Sequence, residues 1–515
     1  MTRRIVSIRT RPAKTAIIGG VLLAAAAVGG CQSLAPPDAG TSAKRIDDAL
    51  GVIADPAAPP RKVKAAETAY RRTLARVLPA ALDGRARPDF EPAPADPPAR
   101  PAPDTFTELT PVESPRIRTP GLHRAGLGAP AVGRISPGGP NAPRAGYHTA
   151  VTAVALPAGE RRLQVSLAEP EYVGSVDLGR RRVPLAMDLE APLDATRALG
   201  PGIFGGLKYL LRADTFSGEA RVRFLQPYDP AKRPLVLIHG LMTTPRMWDR
   251  LVRELLADPC VREHYQIWFF FYPTAQPVPL SALQLRNALD DAVAWHDVRQ
   301  PMVLVGYSMG GVLARAQVSR LTPDQAERIL PGVLELPAEH LVRQALIFEP
   351  RPDVSRVVFM FTPHRGSRLA TLNLAVWATR LIRLPDWVRT ELADVLNGIR
   401  GLPEGSLPTS IHGLSPRSPF LAELDRRPPT VPSHTILGNR GRRRPLRESS
   451  DGVVPYSSAH VPAAASEVVV PTGHGGFDHP QSIAELKRIL RLDLRTHGGG
   501  QPGAPACVSP AAGEG

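Results

Sequence analysis

Cysteine is scarce: three residues in 515, at positions 31, 260 and 507. So few exclude a disulfide-built scaffold, and none has the spacing of a metal site. There is no internal repeat, which excludes solenoids and propellers. Acid is the minority charge, 48 Asp and Glu against 63 Lys and Arg, for a net charge of +15. The excess is arginine scattered through all segments, without the clustering and aromatic partners that nucleic-acid binding calls for. No nucleic-acid partner is expected; a solvated surface is, with attraction to an anionic surface as the lesser alternative. No apolar run near the N-terminus reaches membrane-span length either, since residues 16–28 fall short of about 20 residues. At 515 residues the chain has ample length for a large core with accessory segments.

What the N-terminus does contain is an export pattern. Arg3, Arg4, Arg9, Arg11 and Lys14 precede the apolar residues 16–28, and small residues Gly29 and Gly30 come next. Val28-Gly29-Gly30-Cys31 resembles a bacterial lipobox, in which the cysteine becomes the lipidated first residue. The expectation is a signal peptide over 1–30, lipidation at Cys31, and a membrane-anchored protein facing the periplasm or outer membrane. An ordinary cleaved signal and an uncleaved anchor are the alternatives. Arg3-Arg4 also hints at twin-arginine export, although the residues after this pair fit that motif poorly. Loss of residues 1–30 removes five positive charges and no negative one, leaving +10 of the +15. Cys260 and Cys507 then remain, and an oxidising periplasm allows them to pair.

Residues 31–87 read as a tether and a helical segment. Ile46, Leu50 and Val52, then Val63, Ala66, Tyr70, Leu74, Val77 and Leu78, recur at helical spacing on either side of Ala58-Pro59-Pro60. Ten prolines between 88 and 120 make 88–146 an extended linker or wrapping arm. Over 147–229 the pattern alternates as in strands, at 149–154, 163–167 and 220–224, giving a β-rich extension. From Pro234 the texture changes. Apolar runs at 235–238, 266–271, 302–305, 357–361, 434–437 and 467–470 alternate with helical stretches, the last starting at Pro480. Continuous apolar strands alternating with helices predict an α/β fold, a parallel sheet covered on both faces, over 230–495. Residues 496–515 read as a disordered tail.

Met302-Val303-Leu304-Val305 runs into Gly306-Tyr307-Ser308-Met309-Gly310, and Gly311-Val312-Leu313-Ala314 continues as a helix. A strand, a sharp turn centred on serine and a helix start make a nucleophile elbow, and the chemistry it proposes is acyl transfer. A serine hydroxyl needs a base, and the base an orienting acid. Asp451, just beyond the fifth apolar run, is the acid candidate; a turn aspartate before glycine is its bland reading. His474, after the sixth, is the base candidate, with His479 as rival or helix cap. Main-chain N–H groups of Met309 and Leu241 are the candidate oxyanion donors, one such donor contributing roughly 3–4 kcal/mol. His239 is expected to hold the loop 239–242 rather than transfer protons. No cofactor is implied, and no metal.

His239-Gly240-Leu241, Gly306-Tyr307-Ser308-Met309-Gly310-Gly311, Thr362-Pro363-His364-Arg365-Gly366-Ser367 and Ser450-Asp451-Gly452-Val453-Val454-Pro455 stand in this order. Together they resemble the α/β-hydrolase serine esterases and lipases, and among these the bacterial exported type behind a lipoprotein signal. The resemblance covers roughly residues 230–495. It implies a doubly wound, mostly parallel sheet with lid insertions, and Ser308, Asp451 and His474 as catalytic triad with Leu241 and Met309 as oxyanion hole. His364 matches a position usually structural in lipases. Many relatives have histidine where this chain has Tyr307, which bears on pocket shape. Two insertions, 321–350 and about 369–432, are placed to form a lid or to pack into the core; Trp377, Leu381, Ile382, Leu384, Trp387 and Val388 make the second apolar. The leading reading is an envelope hydrolase acting on carboxylic esters of acyl or lipid-like substrates. Acyltransferase, thioesterase or amidase chemistry on the same triad is the alternative, and a non-catalytic envelope lipoprotein on a hydrolase fold is another.

Overall fold

The computed structural model describes residues 39–82, 106–112, 119–136, 138–143, 145–157, 163–179, 181–198, 220–367, 409–441, 445–497 and 507. The export pattern with Cys31, residues 83–87 of the helical segment, residues 88–105 of the proline-rich stretch, the apolar part of the second insertion and most of the tail lie outside them. Among the described residues no helix is long and apolar enough to cross a membrane. The chain forms two compact units, one from residues up to 136 with 146–198, the other from 137–145 with 199 onward.

In the first unit, helices α1 (Ala39–Ala54) and α2 (Pro60–Leu82) meet at the predicted proline turn. Strands β1 (Phe106–Pro111), β3 (Ala129–Ile135), β4 (Tyr147–Pro157) and β5 (Leu163–Ala168) pair antiparallel in the order β1-β3-β4-β5. Of the side chains their periodicity set apart, Ile46, Leu50, Tyr70, Leu74 and Leu78 share a core with Val151, Ala153, Ala155, Val165 and Leu167, and Ile53 takes the buried place expected of Val52, which is half-buried. Inside that core the Tyr70 hydroxyl donates to the Ala155 carbonyl and accepts its N–H, both at 2.7 Å. Two short pairs, β2 (His123–Arg124) with β8 (Met187–Asp188) and β6 (Ser175–Asp177) with β7 (Arg182–Pro184), and helix α3 (Glu190–Ala198) complete the unit.

The second unit is built on seven strands: β9 (Arg221–Phe224), β10 (Arg233–Ile238), β11 (Tyr265–Phe271), β12 (Met302–Tyr307), β13 (Val354–Met360), β14 (Ser433–Gly438) and β15 (Ser466–Val470). Their order is β15-β14-β13-β12-β10-β11-β9. All neighbours run parallel except β9, which is antiparallel to β11. Every residue of β10, β12, β13 and β14 is buried, as strands covered on both faces require. The α/β-hydrolase sheet expected over 230–495 is therefore present. It also takes in β9, which its alternating pattern had placed in the extension. Val222 and Phe224 point inward, Phe224 stacks on Trp268 at 4.2 Å, and the intervening arginines face outward, so a period-two strand closes the sheet edge.

At the N-terminal ends of the strands the last helix, Pro480–His497, is locked by the fully buried Asp493. It accepts from Arg233 (2.9 Å), the Tyr265 hydroxyl (3.0 Å), the Ser355 hydroxyl (3.0 Å) and Arg356 (3.4 Å). One carboxylate thus ties three strands to the helix, its buried charge compensated by two guanidinium groups. At the same end of β11, Cys260 on helix Pro259–His264 forms a disulfide with Cys507. The expectation of a disordered tail from 496 is corrected: residues 496 and 497 continue the last helix, and residue 507 is covalently held. With His264 the two sulfurs make the one grouping of three potential metal ligands among the described residues, and the disulfide occupies both thiols.

The insertion at 321–350 packs into the fold. Main-chain bonds between Leu321 and Phe348, at 3.0 and 3.1 Å, close its neck, and Ala326, Val333, Val342 and Ala345 are buried. Helix Pro323–Ile329 is pinned to helix Pro419–Asp425 by Glu423, which accepts from Gln325 (3.2 Å) and from both arms of Arg328 (3.0 and 3.1 Å).

Candidate active site

The chain leaves β10 to form β11 on one side and returns to form β12 on the other, so the sheet changes direction of winding between β10 and β12. Ligands bind outside the carboxyl ends of strands at such a point. The loop 239–243 leaves β10 there, and Ser308 comes directly after β12.

Ser308 has φ 53° and ψ −123°, a positive φ that an L residue adopts only where its surroundings force it. The forcing comes from close backbone approach. A Cβ on Gly310 would stand 2.2 Å from the Ile238 carbonyl oxygen, and one on Gly306 would stand 2.4 Å from the Gly310 oxygen. Helix Met309–Gln317 is thereby pressed against the end of β10, and the serine is lifted out of the strand.

The structure brings Ser308, His474 and Asp451 together. His474 Nε2 lies 2.9 Å from Ser308 Oγ, and His474 Nδ1 lies 2.7 Å from Asp451 Oδ2. Asp451 Oδ1 accepts the N–H groups of Val453 (2.8 Å) and Val454 (2.7 Å), and the residue is buried. The acid loop and base loop are joined directly, the His474 N–H donating to the Asp451 carbonyl at 3.0 Å. His479, the rival base, caps the last helix: its Nδ1 accepts the Gln481 N–H at 3.3 Å and its carbonyl the Ile483 N–H at 3.0 Å.

The loop after β10 is braced from three sides. The Tyr272 hydroxyl donates to the His239 carbonyl at 2.7 Å, Thr243 Oγ donates to the Gly240 carbonyl at 2.8 Å, and the Met242 N–H donates to Thr274 Oγ at 3.3 Å. Met242 takes a positive φ of 59°. The Leu241 and Met309 N–H groups have no hydrogen-bond partner among the described residues. They sit on the two segments that Gly310 holds in contact. His239 is fully buried, stacked on Tyr272 at 4.6 Å, and its Nδ1 bonds the Gly240 carbonyl at 3.0 Å. Burial lowers its pKa to about 4, which keeps it a neutral strut.

The residues 362–367 support the acid from behind. Ser367 Oγ donates to the Val453 carbonyl at 2.6 Å, and Ser458 Oγ donates to the Gly366 carbonyl at 2.7 Å. His364 is buried edge-on against Phe359 at 4.5 Å, and it stands apart from the Ser308–His474–Asp451 chain. Burial, with Arg315 and Arg365 nearby, holds its pKa well below 6.5. Tyr272 and Thr274 were not marked in the sequence, and Ser367 stood there only as the end of the 362–367 motif. The bonds they make depend on which strands lie side by side, and no local pattern announces that.

A sheet wound in this order, with a serine elbow at its point of reversal, defines an α/β hydrolase. The family model described as the alpha/beta hydrolase family matches residues 235–486. Among curated proteins there is no significant match. Among solved structures the chain is similar to Bacillus licheniformis lipase BlEst2 in mature form, at 20% identity over 52% of this chain and 97% of that one, TM-score 0.33. It is also similar to the lin2722 gene product of Listeria innocua, at 16% identity over 50% and 94%, TM-score 0.29. A putative aryl esterase from Burkholderia cenocepacia matches at 17% identity over 53% and 94%, TM-score 0.28.

Proposed function

We propose that Ser308, His474 and Asp451 are the catalytic triad of a serine hydrolase that cleaves carboxylic esters through an acyl-enzyme, with no cofactor. The observation that carries the reading is the continuous chain Ser308 Oγ, His474, Asp451 at 2.9 and 2.7 Å. Asp451 holds Nδ1 protonated, which leaves the Nε2 lone pair facing the serine hydroxyl. Nε2 takes the Ser308 proton as Oγ bonds to the ester carbonyl carbon. The oxygen that becomes negative is placed to accept from the Leu241 and Met309 N–H groups. Collapse of the tetrahedral intermediate breaks the ester C–O bond, and Nε2 returns the proton to the departing alkoxide. Water then enters, gives its proton to Nε2, and bonds to the acyl carbon. Breaking the Oγ–acyl bond, with return of that proton, regenerates Ser308. The motif set 239–241, 306–311, 362–367 and 450–455 supports acyl or lipid-like esters as substrates.

Covalent labelling by a fluorophosphonate tests the chemistry. The chain is expected to be labelled and Ser308→Ala to resist; equal resistance of both in folded protein would leave a non-catalytic hydrolase fold. Localisation rests on the lipobox-like Val28-Gly29-Gly30-Cys31, which supports a lipid-anchored protein facing the periplasm or outer membrane. Cys31→Ser is expected to move the protein out of the membrane fraction, and an unchanged distribution would remove the lipid anchor from the reading.

A further inference from the structure

The Ser308–His474 hydrogen bond cannot by itself keep the base in place through a turnover. Once Oγ carries the acyl group it has no proton to donate, yet His474 must hold its position to activate water. The base loop, 472–476, is rich in glycine, and its other main-chain bonds run to β15 (Thr472 N–H to Val470), within itself (Gly476 N–H to Gly473), to the acid loop (His474 N–H to Asp451) and to the start of the last helix, where the Gly476 carbonyl accepts from the His479 N–H and the Ser482 hydroxyl. Among the described residues one further bond ties it to the nucleophile strand. The hydroxyl of Tyr307, the last residue of β12, donates to the His474 carbonyl oxygen at 3.0 Å.

The rest of Tyr307 is arranged to make that bond stiff. The residue is buried, its ring 5.3 Å from the His474 ring and edge-on to Phe477 at 5.0 Å and Trp248 at 6.3 Å. On its other side it lies against the oxyanion loop, where a Cβ on Gly240 would stand 2.9 Å from Tyr307 Cδ1. One side chain therefore touches the oxyanion loop and the base loop, and it precedes the nucleophile in sequence. We infer that Tyr307 is a positioning residue that holds His474 in register with Ser308 while the serine is acylated, so that its hydroxyl serves deacylation above all. The inference rests on the triad reading given above. Burial, with the Asp451 charge adding to it, pushes the phenol pKa upward, so the hydroxyl stays a donor wherever the protein is folded.

In acylation the Ser308 proton itself draws His474 into line, so loss of the phenol hydroxyl should matter little. In deacylation the proton moves from water to Nε2 and then to Ser308 Oγ, with no serine hydroxyl to align the ring beforehand. Small misplacements of a catalytic group lower rates by factors of ten or more. Tyr307→Phe keeps the ring and its packing and removes only the donor. With p-nitrophenyl butyrate in stopped flow, its kcat per fluorophosphonate-titrated site is expected to fall about ten-fold, with KM falling in parallel and kcat/KM nearly unchanged. A burst approaching one p-nitrophenol per titrated site should accompany this, as acyl-enzyme accumulates. A merely structural role would lower the titratable fraction and leave the per-site split untouched. Wild-type kinetics in the variant, or kcat and kcat/KM falling together without a burst, would overturn the inference. A wild-type protein as inert as Ser308→Ala would overturn it together with the triad reading, whereas a reactive wild type isolates the tyrosine.

Discussion

Asp451 accepts two main-chain N–H bonds on Oδ1, from Val453 and Val454, and the His474 ring on Oδ2. That division decides what asparagine would do in its place. Facing two N–H donors, the amide must turn its carbonyl oxygen toward Val453 and Val454, which leaves its NH2 pointing at His474. The ring would then accept at Nδ1 and carry its proton on Nε2, the tautomer that cannot take a proton from Ser308. Asp451→Asn is therefore expected to fold and to lose about 10⁴-fold in kcat, with substrate binding little changed. Steady-state rates against site titration measure this; a loss below about ten-fold would place the orienting acid elsewhere.

At the scale of elements, the parts that were legible in the chain are those written locally. Four of the six parallel strands carry a run of four or more apolar residues, as burial on both faces favours; β14 and β15 carry shorter ones, Ile436-Leu437 and Val468-Val469-Val470. The elbow was legible because close strand–helix packing excludes side chains at 306 and 310, and only glycine meets that demand. The triad candidates could be picked because each comes after a strand end in chain order. β9 was misassigned because its alternation is equally that of an independent antiparallel strand, and only pairing with β11 makes it part of the sheet. The reach of Tyr307 to His474, the bracing of 239–243 by Tyr272 and Thr274, and the seat of Glu423 between two insertions span 32 to 167 positions. Such contacts arise from strand order and loop packing. Composition left the insertion at 321–350 open between lid and core for the same reason: Leu, Pro and Glu suit both until Leu321 and Phe348 are seen to close its neck.

For the whole hydrolase unit, three buried histidines set the response to acid. His239 and His434 are each depressed to about 4 and His364 lies well below 6.5. Burial is the first cause at all three; Arg356 and Arg488 add to it at His434, Arg315 and Arg365 at His364. The unfolded chain, with imidazoles near 6.5, binds protons that the native fold refuses. Stability is thus full above about pH 6.5 and is lost as pH falls from there toward 4, by about 1.4 kcal/mol per pH unit for each histidine. Urea midpoints at pH 7, 6 and 5 should fall steadily, before the carboxylates titrate. Equal midpoints at pH 7 and pH 5 would mean that these rings find protons in the native state.

The bond between Cys260 and Cys507 spans 247 positions, and Ser308, Asp451 and His474 all lie between its ends. Of the residues assigned to the chemistry, Leu241 alone falls outside the ring. The machinery is thus enclosed in a covalent circle that closes only after residue 507 has been synthesised, when every triad residue already exists. A single peptide-bond cut within the circle leaves one molecule, and its pieces part company only when the sulfur bridge is reduced.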